Sequence, residues 1–312
     1  MAVPPLVAGP GGRCRTNLRE TRGRLTESSS MLSSWKDIAV FLDATTAGRR
    51  IGEQAAALAR HHSAYLVGVY GLARDSQSIA EGFVRGRSAI RRVVSAHQRH
   101  DEQQTLLAAR HFATLTQKQG LGSEFRIAWR DNGDCETTLR TLHVDLIVLA
   151  FPQLAELPAG WSAEQVLWTT GTPVLLVPAS WAEKTVENSV MICWNASRQA
   201  RRAVNDAMPF LHAAQTVTVL VIDGDRDPGR FGAKPGNDVV QHLAHHGIAS
   251  TLRLAEAHGK PKVDVILDEA TQSAADLLVM GAYSRAPTSE MLFGGITRSL
   301  LSRVPLPLMI SR

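Results

Sequence analysis

The residues best able to do chemistry lie near the end of the chain, in GAYSRAPTSEMLFGGITRSLL, residues 281–301. Gly281 directly follows the apolar run DLLVM, and Gly294 and Gly295 open the helical pattern ITRSLLSRV. A glycine at a strand end lets the backbone turn with positive φ. A glycine pair at a helix start exposes N–H groups with no side chain in the way, which suits phosphate oxygens. Thr297 falls in the first helical turn, where its hydroxyl adds a donor.

The elements that must position these residues are written twice. WKDIAVFLDATTAGRR, from Trp35, superposes without a gap on the segment around SVMICWNASRQARR, at an offset of 152. Asp43 then falls on Asn195, Arg49 and Arg50 on Arg201 and Arg202, and Tyr65 to Val69 on Val217 to Val221. DLIVLA from Asp145 matches DLLVMG from Asp276, and TPVLLVP from Thr172 matches LPLMISR from Leu306. Two homologous units follow. Short runs of aliphatic residues, apolar on both faces, alternate with helical stretches such as QARRAVNDAMPFLH, in which Ala203, Ala207, Phe210 and Leu211 share a face. This predicts an α/β fold with two tandem, doubly wound parallel sheets, and a ligand crevice at the carboxyl ends of the strands. In the second unit those ends are Asn195 to Ser197, Val221 to Asp223 and the glycine-rich loop. The expected boundaries are 1–30, a disordered arm rich in Pro, Gly, Ser and Arg; 31–180, the first unit; and 187–312, the second. Met31, just before the first structured pattern, is an alternative start. The first unit carries a long helix-forming insertion, SAIRRVVSAHQRHDEQQTLLAARHFATLTQKQG.

Gly281, two residues, Ser284, nine residues, Gly294 and Gly295 together resemble the nucleotide loop of the universal stress protein family in its tandem form. The resemblance implies five parallel strands per Rossmann-like domain, an adenine-nucleotide (ATP) site, association through the last strand as a pseudo-symmetric pair or homodimer, and a regulatory role in stress tolerance rather than a defined reaction. Carried over, it assigns nucleotide binding to Asn195, Ser197, Val221, Met280, Gly281, Ser284, Gly294, Gly295, Ile296 and Thr297, with Asn195 on the nucleoside, Val221 and Met280 on the base, and the loop on phosphate. Ser284 stands where the family has a second glycine, Gly295 where it has serine or threonine, and Asn195 where it has aspartate. In the first unit Ala150 replaces Gly281 and the loop is three residues shorter, which predicts a non-binding partner that keeps Asp43. The alternative is an interaction or oligomerisation protein of this fold that binds no nucleotide.

Bulk properties narrow the classes. Of the formal charge of +5, residues 1–30 hold +3, so the folded part is near neutral and carries no phosphate-backbone footprint. Cys14, Cys135 and Cys193 are scattered singly, which excludes a disulfide framework and points to a reducing cytoplasm. No apolar run reaches the roughly 20 residues of a membrane helix. His242, His245 and His246 share a helix face without a carboxylate or cysteine to complete a metal site, so they read as a polar helix end. Neither a Walker loop nor a recognisable nucleophile and base is present, so binding rather than catalysis is expected.

Overall fold

The apolar runs form strands because helices cover them on both sides. In a computed structural model, which describes residues 34–72, 87–129, 134–181, 188–282, 299–300, 303 and 305–312, β1 (Asp37–Leu42) and β4 (Leu146–Phe151) are buried along nearly their whole length. The expected arm at 1–30 and the loop residues Ser284, Gly294, Gly295, Ile296 and Thr297 lie outside the described residues. Residues Trp35–Arg312 form one compact unit.

The first half runs β1, α1 (Thr46–His62), β2 (Tyr65–Leu72), α2 (Arg87–Gln119), β3 (Ser123–Trp129), α3 (Asp134–Arg140), β4, α4 (Ala163–Thr170) and β5 (Val174–Pro178). The second runs β6 (Ser189–Cys193), α5 (Arg198–Asp206), α6 (Met208–Ala213), β7 (Thr216–Ile222), α7 (Pro228–Phe231), α8 (Asn237–His245), β8 (Thr251–Ala255), α9 (Lys262–Gln272), β9 (Leu277–Gly281) and β10 (Leu308–Ser311). The strand order is β3-β2-β1-β4-β5-β10-β9-β6-β7-β8. Each half is thus a parallel five-stranded sheet of the expected kind, and the two are joined antiparallel at β5 and β10, with Leu175 opposite Met309. The pairing through the last strand that the resemblance implied takes place within this one chain.

Local chemistry recurs between the halves. Asp145 accepts from the amides of Lys36 (2.7 Å) and Asp37 (3.1 Å), and Asp276 accepts from those of Asn188 and Ser189, both at 3.0 Å. Each carboxylate satisfies the leading donors of the first strand of its half and fixes that strand beside the fourth. Helix α1 buries Ile51, Ala55, Ala56 and Ala59 and exposes Arg49 and Arg50, as its periodicity requires.

Two details depart from the sequence reading. QARRAVNDAMPFLH is two helices, because Pro209 cannot donate the i→i−4 bond and α5 ends at Asp206; Ala203, Ala207, Phe210 and Leu211 are still all buried. The gapless offset also fails after this point. Ile38 pairs with Leu66 and Val190 with Val217, so β2 and β7 correspond at an offset of 151, one fewer than the first strands. Val221 therefore occupies the place of Tyr70 rather than Val69, which a one-residue slip would have turned to the other face.

One hydrophobic core spans both halves. Trp35 meets Phe210 edge to face with ring centroids 4.5 Å apart, and the Arg312 guanidinium lies 3.4 Å from the centroid of Trp168.

Candidate functional site

In each half the first strand ends in a polar residue followed by a capped helix. Thr45 caps α1 by accepting from the Gly48 amide (3.2 Å), and Ser197 caps α5 by accepting from the Ala200 amide (3.1 Å). Two residues before each cap, a side-chain oxygen accepts from the cap amide: Asp43 Oδ1 from Thr45 (3.0 Å), Asn195 Oδ1 from Ser197 (3.2 Å). Between Asn195 and Ser197 the chain turns through Ala196 at φ +56°. Asp43 and Asn195 thus shape the turn into each helix, while the caps themselves are Thr45 and Ser197.

The twins differ in access. Asp43 is 3% exposed, whereas Asn195 is half-buried and its amide Nδ2 has no partner among the described residues. One difference lies on the following helix. A Cβ at Gly48 would collide with Asp43 Oδ1 and lie 2.9 Å from its backbone nitrogen. Position 200, the equivalent of 48, carries the methyl of an alanine, so the close contact of Gly48 with Asp43 has no counterpart there.

Gly281 ends β9 beside this turn. Its φ is not positive, contrary to the sequence expectation; the need for glycine is close approach. A Cβ there would run into the backbone carbon of Gln199 and the amide nitrogen of Ala200, and would lie 2.7 Å from Gln199 Cβ. The first turn of α5 rests directly on the end of β9. Asn195, Ser197 and Gly281 are thereby brought to one edge, at the carboxyl ends of β6 and β9, which are paired through Cys193 and Met280. Met280 is 7% exposed beneath them. Val221 is fully buried, its methyl groups lying under Gly224 and Gly236. Trp194 is partly buried against the core, and its amide donates to Leu220.

Sequence reasoning missed the cations on this rim. Arg230 Nε donates to the Asn195 carbonyl at 2.7 Å, and its guanidinium carbon lies 5.8 Å from the Phe231 ring centroid. Asp223, in the left-handed region at φ +54°, accepts from the Ala257 amide at 3.0 Å and has Lys262 Nζ at 3.5 Å. Its carboxyl is held below the usual carboxylate range, first by the Ala257 amide and then by Lys262 and Arg226. No periodicity or spacing ties Arg230 to Asn195, which precedes it by 35 residues.

Among the described residues no group of three histidine, cysteine, aspartate or glutamate side chains is placed to hold a metal ion. His242 and His246 form a ring pair 4.7 Å apart on α8 and its cap. Among those residues no helix is long and apolar enough to cross a membrane.

The sequence profile of the universal stress protein family matches residues 188–312. No curated protein matches the chain. Solved structures with a similar fold include a universal stress protein from Archaeoglobus fulgidus DSM 4304, with a TM-score of 0.61, 12% identity and coverage of 88% of this chain and 96% of that one. A protein of unknown function from Pseudomonas aeruginosa PAO1 is similar with a TM-score of 0.56, 16% identity and coverage of 91% and 94%. At such identities the likeness establishes the fold, which extends over both halves. Residues 188–312 thus match the universal stress protein family, and in this chain they are joined to a first half built on the same fold.

Proposed function

We propose that the second half binds an adenine nucleotide such as ATP, and that the protein works in the cytoplasm as a binding module in stress regulation rather than as an enzyme. The observation that carries this reading is the meeting of Asn195, Ser197 and Gly281 at the carboxyl ends of β6 and β9, with Asn195 partly exposed and its side-chain amide without a partner among the described residues. The Gly281 backbone leads from this edge into the loop that contains Ser284 and the Gly294–Gly295–Ile296–Thr297 segment, whose glycine spacing suits phosphate. In this reading Asn195 and the Ser197 hydroxyl hold the ribose, Met280 and Val221 border the base, and the loop amides with Thr297 hold phosphate.

Equilibrium titration with labelled ATP and AMP tests it. Saturable binding is expected, and its absence below millimolar concentration sinks the nucleotide reading. Gly294→Asp, which puts a side chain and a negative charge in the phosphate loop, should abolish the binding.

One observation favours a second reading, a protein of this fold that works through interaction alone. Val221, assigned to the base by resemblance, is wholly covered by the turn at Gly224 and Gly236. Unchanged assembly with and without nucleotide, together with no saturable binding, would select that reading.

A further inference from the structure

In the first half, the counterpart of the proposed nucleotide position is enclosed by the chain's own helix α2. Leu107, Ala108, His111, Phe112 and Leu115 of α2 close over Asp43 against the start of α1. The fit is specific. Phe112 packs on Gly68 of β2, where a Cβ would lie 2.8 Å from its ring, and Ala108 packs in one buried cluster with Tyr70 of β2. The cavity that remains leaves about 10 Å³ for the centre of a water-sized molecule, near the ~10–15 Å³ that a single water needs and far below a nucleotide.

Two buried polar atoms belong to residues that line this cavity. Asp43 is 3% exposed; its Oδ1 is satisfied by the Thr45 amide and hydroxyl, but Oδ2 has no partner among the described residues. His111 Nε2 is likewise buried and without a partner. A buried polar atom left unpaired costs about 1–3 kcal/mol, and a carboxylate oxygen more. Two such atoms, on residues that line one water-sized space, are what a single bridging molecule would satisfy.

We propose that α2 fills the first half's ligand position from within, latched by one buried water hydrogen-bonded to both Asp43 Oδ2 and His111 Nε2, so that the chain keeps a single nucleotide site. Asp43 then serves as the anchor of the latch rather than as a ligand contact.

Three measurements decide this. A crystal structure with ordered solvent should show one water within hydrogen-bond distance of both atoms; an empty cavity, or a direct bond between the two side chains, overturns the latch. Amide hydrogen exchange over residues 105–115 should be faster by about tenfold in His111→Leu, which leaves Asp43 a partner short, and close to wild type in His111→Gln, which again offers a polar atom at similar reach. Exchange in His111→Leu equal to wild type overturns it. The third readout rests on the nucleotide reading: one ATP per chain is expected, and two per chain overturns the plug. Failure of all ATP binding counts against the proposed function, while the solvent and exchange results still judge the latch.

Discussion

Gly281 at the end of β9 and Ala200 in the first turn of α5 approach so closely that a Cβ on the glycine would overlap the Ala200 amide nitrogen. The helix that carries the Ser197 cap is seated by a missing side chain on a strand 81 residues further along the chain than Ala200. The Ser197 cap, assigned to the ribose, sits on that helix.

Gly281→Val should therefore damage stability and binding together. Overpacking of this kind costs about 1–3 kcal/mol, because α5 must lift from the sheet and carry Asn195 and Ser197 with it. Urea unfolding should show the loss in midpoint, and ATP titration a parallel loss of affinity. A variant with wild-type stability would show that α5 does not need the contact.

Asn195 separates turn from ligand. Asn195→Leu removes the acceptor for the Ser197 amide, a loss of about 1 kcal/mol of stability, and should weaken ATP at least tenfold on the proposed reading. Asn195→Asp keeps the acceptor and should retain affinity within a few-fold. Equal ATP binding by wild type and the leucine variant would remove Asn195 from the site while leaving its turn role intact.

Phe210 ties the halves together. It is fully buried against Trp35, so Phe210→Ala should cost about 3–5 kcal/mol. Unfolding followed by tryptophan fluorescence should shift markedly for both halves at once, since their core is shared. A transition that splits, with the first half unaffected, would show that the halves unfold independently.

Acid should destabilise the region around α6 and α8. Partial burial, then the charge of His246, holds His212 below the ordinary histidine range; His242 is lowered by burial, then by His246 and His245. The folded state thus resists protonation. Below the ordinary histidine pKa of about 6.5 the unfolded chain takes up protons first, and stability falls with pH until the lowered folded values are passed. Denaturation midpoints should drop between pH 7 and pH 5, and less so in His246→Asn. An equal drop in that variant would assign the effect to other groups.

What the sequence determined by itself was everything short-ranged and repeated. Strand-length apolar runs and the matching aspartates at 145 and 276 follow from residue type within a few positions, and the copying of each segment in the second half makes them legible twice. The candidate edge was legible as a set of strand ends, because parallel α/β sheets place ligands there. Tertiary structure decided the rest. The break before Pro209 and the one-residue slip of β7 depend on how α5 and α6 pack. That Leu175 pairs with Met309 depends on which of two open sheet edges meets the other, a choice that no window of sequence contains. That Gly281 serves close approach, that Arg230 reaches Asn195, and that Asp43 is sealed under α2 while Asn195 is partly exposed are likewise contacts between residues brought together only by packing, which no local stretch of sequence contains.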